Sequence, residues 1–166
     1  ECVMKILLAL LMLFSSAITA DPITRLVLVG QGEMNWMLWK LYDIRLYSAD
    51  GGYAKNSFPV ALSITYARDI KATRLLQSTV DEWQRLSIDY RPQWVQQLEQ
   101  IWPSVKAGDT IDFVVNAEQA NQFYWNKKLI GEITDASFAE AFLSIWLSPD
   151  SRQPGLRKLL TGDDNV

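Results

Sequence analysis

The chain reads as one α+β domain, an antiparallel β-sheet with helices packed on one of its faces. Two observations predict this. Segments with a period of two residues come in groups, three before the first helical segments and two or three after them, and they form long antiparallel stretches. A length of 166 residues with 49% apolar and 21% charged content fits a single core, and neither an internal repeat nor a low-complexity linker divides the chain.

The N-terminus is read as a signal peptide over residues 1–20. Lys5 precedes the apolar run Ile6 to Phe14, and Ser15-Ser16-Ala17-Ile18-Thr19-Ala20 supplies small residues for cleavage. Residues 1–3 are taken as an extension upstream of Met4, and the mature chain is expected to start near Ile18 or Asp21. The run is shorter than the roughly 20 residues of a membrane-spanning helix, so no permanent span is expected after cleavage. The domain then occupies 21–166, in the periplasm or secreted. Cys2 lies before the apolar run rather than after it, so it does not read as a lipid-modified cysteine, and the mature chain has no thiol or disulfide.

Within the domain, Leu26-Val27-Leu28-Val29 predicts a strand ending at a Gly30-Gln31-Gly32 turn, and Met34 to Tyr47 predicts one long second strand. The face of that strand expected to meet the core carries Met34, Trp36, Leu38, Lys40, Tyr42, Ile44 and Leu46. After the loop Ser48 to Gly52, Phe58-Pro59 enters a third strand with Val60, Leu62, Ile64 and Tyr66 inward, ending at Arg68-Asp69. Residues 71–86 predict an amphipathic helix lying on the sheet, with Leu75, Leu76, Thr79, Val80, Trp83 and Leu86 as its apolar stripe. A second helix starts near Pro92, carries Trp94, Val95, Leu98, Ile101 and Trp102, and stops at Pro103.

Gly108-Asp109 then signals a turn, Thr110 to Val115 alternates as a strand, and Phe123-Tyr124-Trp125 enters a reverse turn at Asn126-Lys127-Lys128. Asp135 is an N-cap for a helix carrying Phe138, Ala139, Phe142, Leu143, Ile145 and Trp146, which Pro149 terminates. A short terminal helix closes the chain.

Composition excludes much chemistry. The chain has no histidine, which removes the commonest acid–base group near neutral pH and the commonest transition-metal ligand. Histidine-dependent hydrolases, zinc sites and facial-triad iron sites are therefore untenable. No Asp-x-Asp-x-Asp-Gly loop is present, and Asp163-Asp164 reads as a solvated tail. Gly30-Gln31-Gly32 lacks the third glycine and the following helix of a phosphate cradle. No cofactor and no metal are expected. A net charge of −3 and a pI near 5.0 give no electrostatic ground for nucleic acid or an anionic membrane surface. Seven Trp, six Tyr and six Phe indicate either a large packed core or a ligand pocket.

Several blocks together carry a family resemblance. These are Gly30-x-Gly32, Lys40-x-Tyr42-x-Ile44-x-Leu46-Tyr47, Tyr66-Ala67-Arg68-Asp69-Ile70, Gly108-Asp109, and Gly131-Glu132-Ile133 through Ile145-Trp146-Leu147-Ser148-Pro149 to Leu156-Arg157-Lys158-Leu159-Leu160-Thr161-Gly162. In this order they resemble the secreted bacterial branch of the chalcone isomerase-like proteins. The resemblance implies an open-faced β-sandwich of the chalcone isomerase type, in a family that holds both enzymes and non-catalytic fatty-acid binders. It also implies that Tyr42 stands where the fatty-acid binders carry a carboxylate-holding tyrosine and the isomerases a threonine. The arginine that partners it in those binders has no match, because no arginine occurs between Arg25 and Arg45. The helix after the third strand, Ala72 to Val80, lacks the tyrosine and asparagine that the isomerases use. Both departures argue against chalcone cyclisation.

Arg68 continues the face of Val60, Leu62, Ile64 and Tyr66, so with Tyr42 and Tyr66 it is a candidate for holding a ligand carboxylate. Alternatively, Arg68 pairs with Asp69 or a helix carboxylate and caps the strand. Lys40 either anchors an anion or snorkels to solvent. Three functions stay open: a binder of a fatty acid or another small amphipathic acid such as an aromatic one, an isomerase or lyase working through Tyr, Lys and Arg, and a scaffold whose cleft is closed by Trp36, Trp39, Trp83 and Phe142.

Overall fold

A computed structural model describes residues 21–162 of the chain. The signal peptide expected over 1–20 and the Asp163-Asp164 tail lie outside the described residues. Six strands form one antiparallel sheet in sequence order: β1 (Val27–Trp36), β2 (Trp39–Ser48), β3 (Val60–Tyr66), β4 (Thr110–Val115), β5 (Asn121–Trp125) and β6 (Lys128–Ile133). Helices α1 (Ala72–Arg85) and α2 (Pro92–Ile101) fall between β3 and β4, and α3 (Ser137–Leu147) and α4 (Pro154–Thr161) follow β6. The architecture is the α+β, open-faced antiparallel sheet with helices that the sequence predicts.

Alternation places the core. Ile44 and Leu46 of β2, Leu62 and Ile64 of β3, Ile111, Phe113 and Val115 of β4, Phe123 of β5 and Ile133 of β6 are all buried. Against them α3 brings Phe138, Phe142, Ile145 and Trp146, the predicted stripe, with Phe113–Phe142 centroids at 4.8 Å and Phe113–Phe123 at 4.9 Å. The N-cap of α3 is Ala136 rather than the expected Asp135, which stands one residue earlier; the Asp135 Oδ1 accepts from the Ser137 N–H at 3.0 Å, while its Oδ2 accepts from Trp94 Nε1 at 2.9 Å and ties α2 to the same corner.

Three expectations are corrected. First, the long second strand is two strands: Met37-Leu38 is a two-residue turn between Trp36 and Trp39, which pair across it. Met37 takes φ 54 there, a conformation that non-glycine side chains rarely adopt, and neither residue carries turn chemistry that would reveal it. Second, Gly30 and Gly32 sit inside β1 rather than in a turn. A Cβ on Gly30 would overlap the carbonyl groups of Leu159 and Leu160, and one on Gly32 would overlap the Leu156 side chain, so these glycines let α4 lie directly on the edge strand. Gly30→Ala is accordingly expected to destabilise the fold by about 1–3 kcal/mol through displacement of α4, read as a lower denaturant midpoint. Third, β3 ends at Tyr66, before Arg68-Asp69, and α1 does not lie on the sheet. It packs chiefly on α2 and α3, with only Thr79 and Trp83 buried and Leu75, Leu76 and Val80 half-buried. The space between α1 and the sheet is a cleft.

Candidate functional site

The cleft has a volume of about 980 Å³, at the upper end of the ~300–1,000 Å³ typical of small-molecule sites. Leu62, Ile64, Ile111 and Phe113 form its floor, Phe142, Ile145 and Trp146 one wall, and Leu75 and Thr79 of α1 its roof. The closed scaffold is thereby corrected. Trp36 and Trp39 are 62% and 60% exposed rather than plugging the cleft, and Trp83 is turned into the helix layer, donating from Nε1 to the Ala141 carbonyl at 2.9 Å.

Tyr42 and Tyr66 are opposite one another on β2 and β3, and both line the cleft with rings edge to face at 6.0 Å. Tyr42 Oη accepts from Trp146 Nε1 at 2.9 Å, which orients the hydroxyl and leaves its proton to donate. Tyr66 is 7% exposed, and its hydroxyl has no hydrogen-bond partner among the described residues. Burial pushes the Tyr42 phenol up to about 12, with the Glu82 carboxylate adding to the rise and the Trp146 hydrogen bond opposing it. Burial likewise pushes Tyr66 up, helped by Tyr42. Both phenols stay neutral near physiological pH, so they are hydrogen-bond donors and poor general bases.

The Tyr42 shift predicts an alkaline instability. Its folded pKa lies above the usual value near 10, so the folded state holds its proton longer, and that stability is present below about pH 10 and lost as pH rises through about 12. Tyr42→Phe should flatten the fall in denaturant midpoint across this window, and a profile unchanged from wild type would contradict the shift.

Arg68 sits at the cleft mouth, exposed, its guanidinium 4.8 Å over the Trp39 ring. It forms no ion pair among the described residues. Asp69, the partner proposed for a capping role, instead accepts from the Ala107 N–H at 3.0 Å. The site thus brings together Tyr42, Tyr66 and Arg68. Lys40 is elsewhere. Met34 pairs with Tyr42 and Asn35 with Lys40, so Leu41 is an extra, bulged residue. The bulge interrupts the alternation: Leu41 joins Tyr42 in lining the cleft, and Lys40 goes instead to Asp43 at 2.6 Å and Glu33 at 2.9 Å, outside the cleft lining.

Sequence reasoning missed Lys71 and Arg74, which lie outside the apolar stripe it read for the 71–86 helix. Because α1 stands away from the sheet, its first turn borders the cleft, and both cations line the mouth without an ion pair among the described residues. Farther along α1, Glu82 closes the cleft with Arg152 at 2.6 Å and Arg85 at 2.9 Å. Among the described residues no group of His, Cys, Asp and Glu is arranged to hold a metal ion.

Comparison with known proteins fits this geometry. The family described as chalcone isomerase-like matches residues 14–162. An uncharacterized protein of Haemophilus influenzae is 26% identical over 160 residues, covering 95% of this chain and 77% of its own length. Among solved structures, a fatty-acid binding protein of Arabidopsis thaliana superposes with a TM-score of 0.63 at 10% identity, over 81% of this chain and 86% of that one, a likeness of fold.

Proposed function

The chain belongs to the chalcone isomerase-like family, and from that premise we propose that it is a non-catalytic binder of a fatty acid or similar amphipathic acid. The acid's tail lies in the cleft between α1 and the sheet. Its carboxylate takes hydrogen bonds from Tyr66 and Tyr42 and the charge of Arg68. The observation that carries the reading is a cleft of about 980 Å³ with an apolar floor that ends in a tyrosine hydroxyl without a hydrogen-bond partner and an arginine without an ion pair among the described residues. The Tyr66 hydroxyl keeps its proton to donate, and a ligand oxygen in the cleft would accept it. The raised phenol pKa values support binding over acid–base catalysis. The apolar run at residues 6–14 supports a periplasmic or secreted location, and among the described residues no helix is long and apolar enough to cross a membrane.

Titration with saturated carboxylic acids of increasing length tests the proposal. Each methylene entering the cleft contributes about 0.8 kcal/mol, roughly a fourfold gain in affinity, until the tail fills the space and the gain stops. Alcohols of matched length should bind more weakly. An affinity independent of tail length, or equal for acid and alcohol, would contradict the assignment of cleft and head group respectively.

A further inference from the structure

The two longest strands of the sheet, β1 and β2, run past their neighbours. The last β2–β3 pair is Tyr42 with Tyr66, so the ladder from there to Trp36–Trp39 projects as a two-stranded arm. Its tip is apolar and solvated: Trp36 is 62% exposed, Met37 84%, Leu38 96% and Trp39 60%. Met37 holds φ 54 in this turn, and an exposed apolar cluster of this kind marks an interaction surface. The arrangement of the four residues indicates the partner. Two tryptophans flank an aliphatic apex, the order in which indole rings sit at the headgroup level of a bilayer and aliphatic groups pass beyond it.

The charges at this end agree. Arg68, Lys71 and Arg74 stand at the adjoining cleft mouth without an ion pair among the described residues, while the nearby carboxylates are engaged. Lys40 pairs with Glu33 and Asp43, while the Ala107 N–H holds Asp69 and the Lys106 N–H and Asn126 amide hold Asp109, contacts that orient these two carboxylates and leave them charged. Free cations beside an apolar tip suit anionic lipid phosphates, a local complementarity that the overall charge of −3 conceals. The arm is also continuous with the cleft, since Asn35 and Trp36 line it.

We propose that the Trp36-Met37-Leu38-Trp39 tip inserts into the interfacial layer of a lipid bilayer and seats the cleft mouth on the membrane. On the binding reading above, which this route for the ligand rests on, the amphipathic acid then passes between bilayer and cleft without crossing water.

The test places an environment-sensitive fluorophore on Met37→Cys in a Cys2→Ser background, Cys2 being the one cysteine of the sequence, with Glu118→Cys at the opposite end of the strands as the control. Vesicles of phosphatidylcholine mixed with phosphatidylglycerol are added. Insertion predicts a blue shift at position 37, quenching by bromines on the acyl chains, and no change at position 118. Because the label reports locally, any binding carried by residues 6–14 does not mimic the result. Leu38→Asp, at a residue 96% exposed, should leave acid affinity in solution intact and reduce quenching at position 37 by about tenfold. Emission at position 37 that ignores vesicles would overturn the proposal, as would a label shielded before vesicles are added by self-association that Leu38→Asp abolishes. Insertion by a chain that binds no acid would uphold the docking and overturn the ligand's route.

Discussion

On the proposed binding role, Arg68→Ala should lower affinity for a long-chain carboxylate about ten- to a hundredfold, the loss of a charge-assisted contact of about 1.5–3 kcal/mol. The substitution should leave the fold intact, because Arg68 is exposed and its guanidinium rests on the Trp39 ring. Affinity for the matched alcohol should change little, since a hydroxyl brings no charge to the guanidinium. Arg68→Lys should recover only part of the loss, keeping the charge but not the planar fork. Calorimetric titration of both ligands against the three proteins checks this, and equal losses for acid and alcohol would show that Arg68 acts through packing.

Trp83→Ala has the larger effect on stability, a loss of about 3–5 kcal/mol, which is a sizeable part of the ~5–15 kcal/mol available to a domain. Trp83 is fully buried, stacks on Tyr90 at 5.3 Å and meets Trp94 and Phe138 edge to face at 5.8 and 6.1 Å. It is the main anchor of α1, a helix that has few other buried residues because the cleft lies beneath it. Trp83→Phe should lose far less, about 1 kcal/mol for the hydrogen bond, since the Ala141 carbonyl keeps the Ser144 hydroxyl as a donor at 2.8 Å. Denaturant unfolding distinguishes the two variants. Loss of the roof also predicts weaker ligand binding for Trp83→Ala, whereas Arg68→Ala weakens binding without moving the unfolding midpoint.

Where local chemistry and packing agree, the sequence is readable. β4 follows its alternation from Thr110 to Val115, and α2 starts at Pro92 because proline fits a first turn and stops before Pro103. The β1–β2 hairpin is not readable in this way, since its turn is Met37-Leu38 with no glycine, asparagine or aspartate, and alternation runs straight through it. The bulge at Leu41 then removes Lys40 from the face that unbroken parity assigns it. Gly30 and Gly32 look like a turn, yet they answer to α4, which lies more than a hundred residues away in sequence. The cleft itself escapes periodicity for a simpler reason. The stripe Leu75, Thr79, Val80 and Trp83 reports which side of α1 is apolar, and a packed sheet and an empty cleft demand the same pattern. Tyr42 and Tyr66 were legible as neighbours at the cleft because they lie on regular strand faces, whereas Arg68 falls beyond the end of β3 and Lys71 and Arg74 depend on how far α1 stands from the sheet.

Native mass spectrometry of the processed protein taken directly from its host compartment, followed by denaturing extraction of whatever it carries, tests the binding claim most directly. A binder of this kind should carry a bound mass that releases as a fatty acid or a comparable amphipathic acid, and that is lost from Arg68→Ala prepared in the same way. Bare protein that also takes up no added long-chain acid would contradict it.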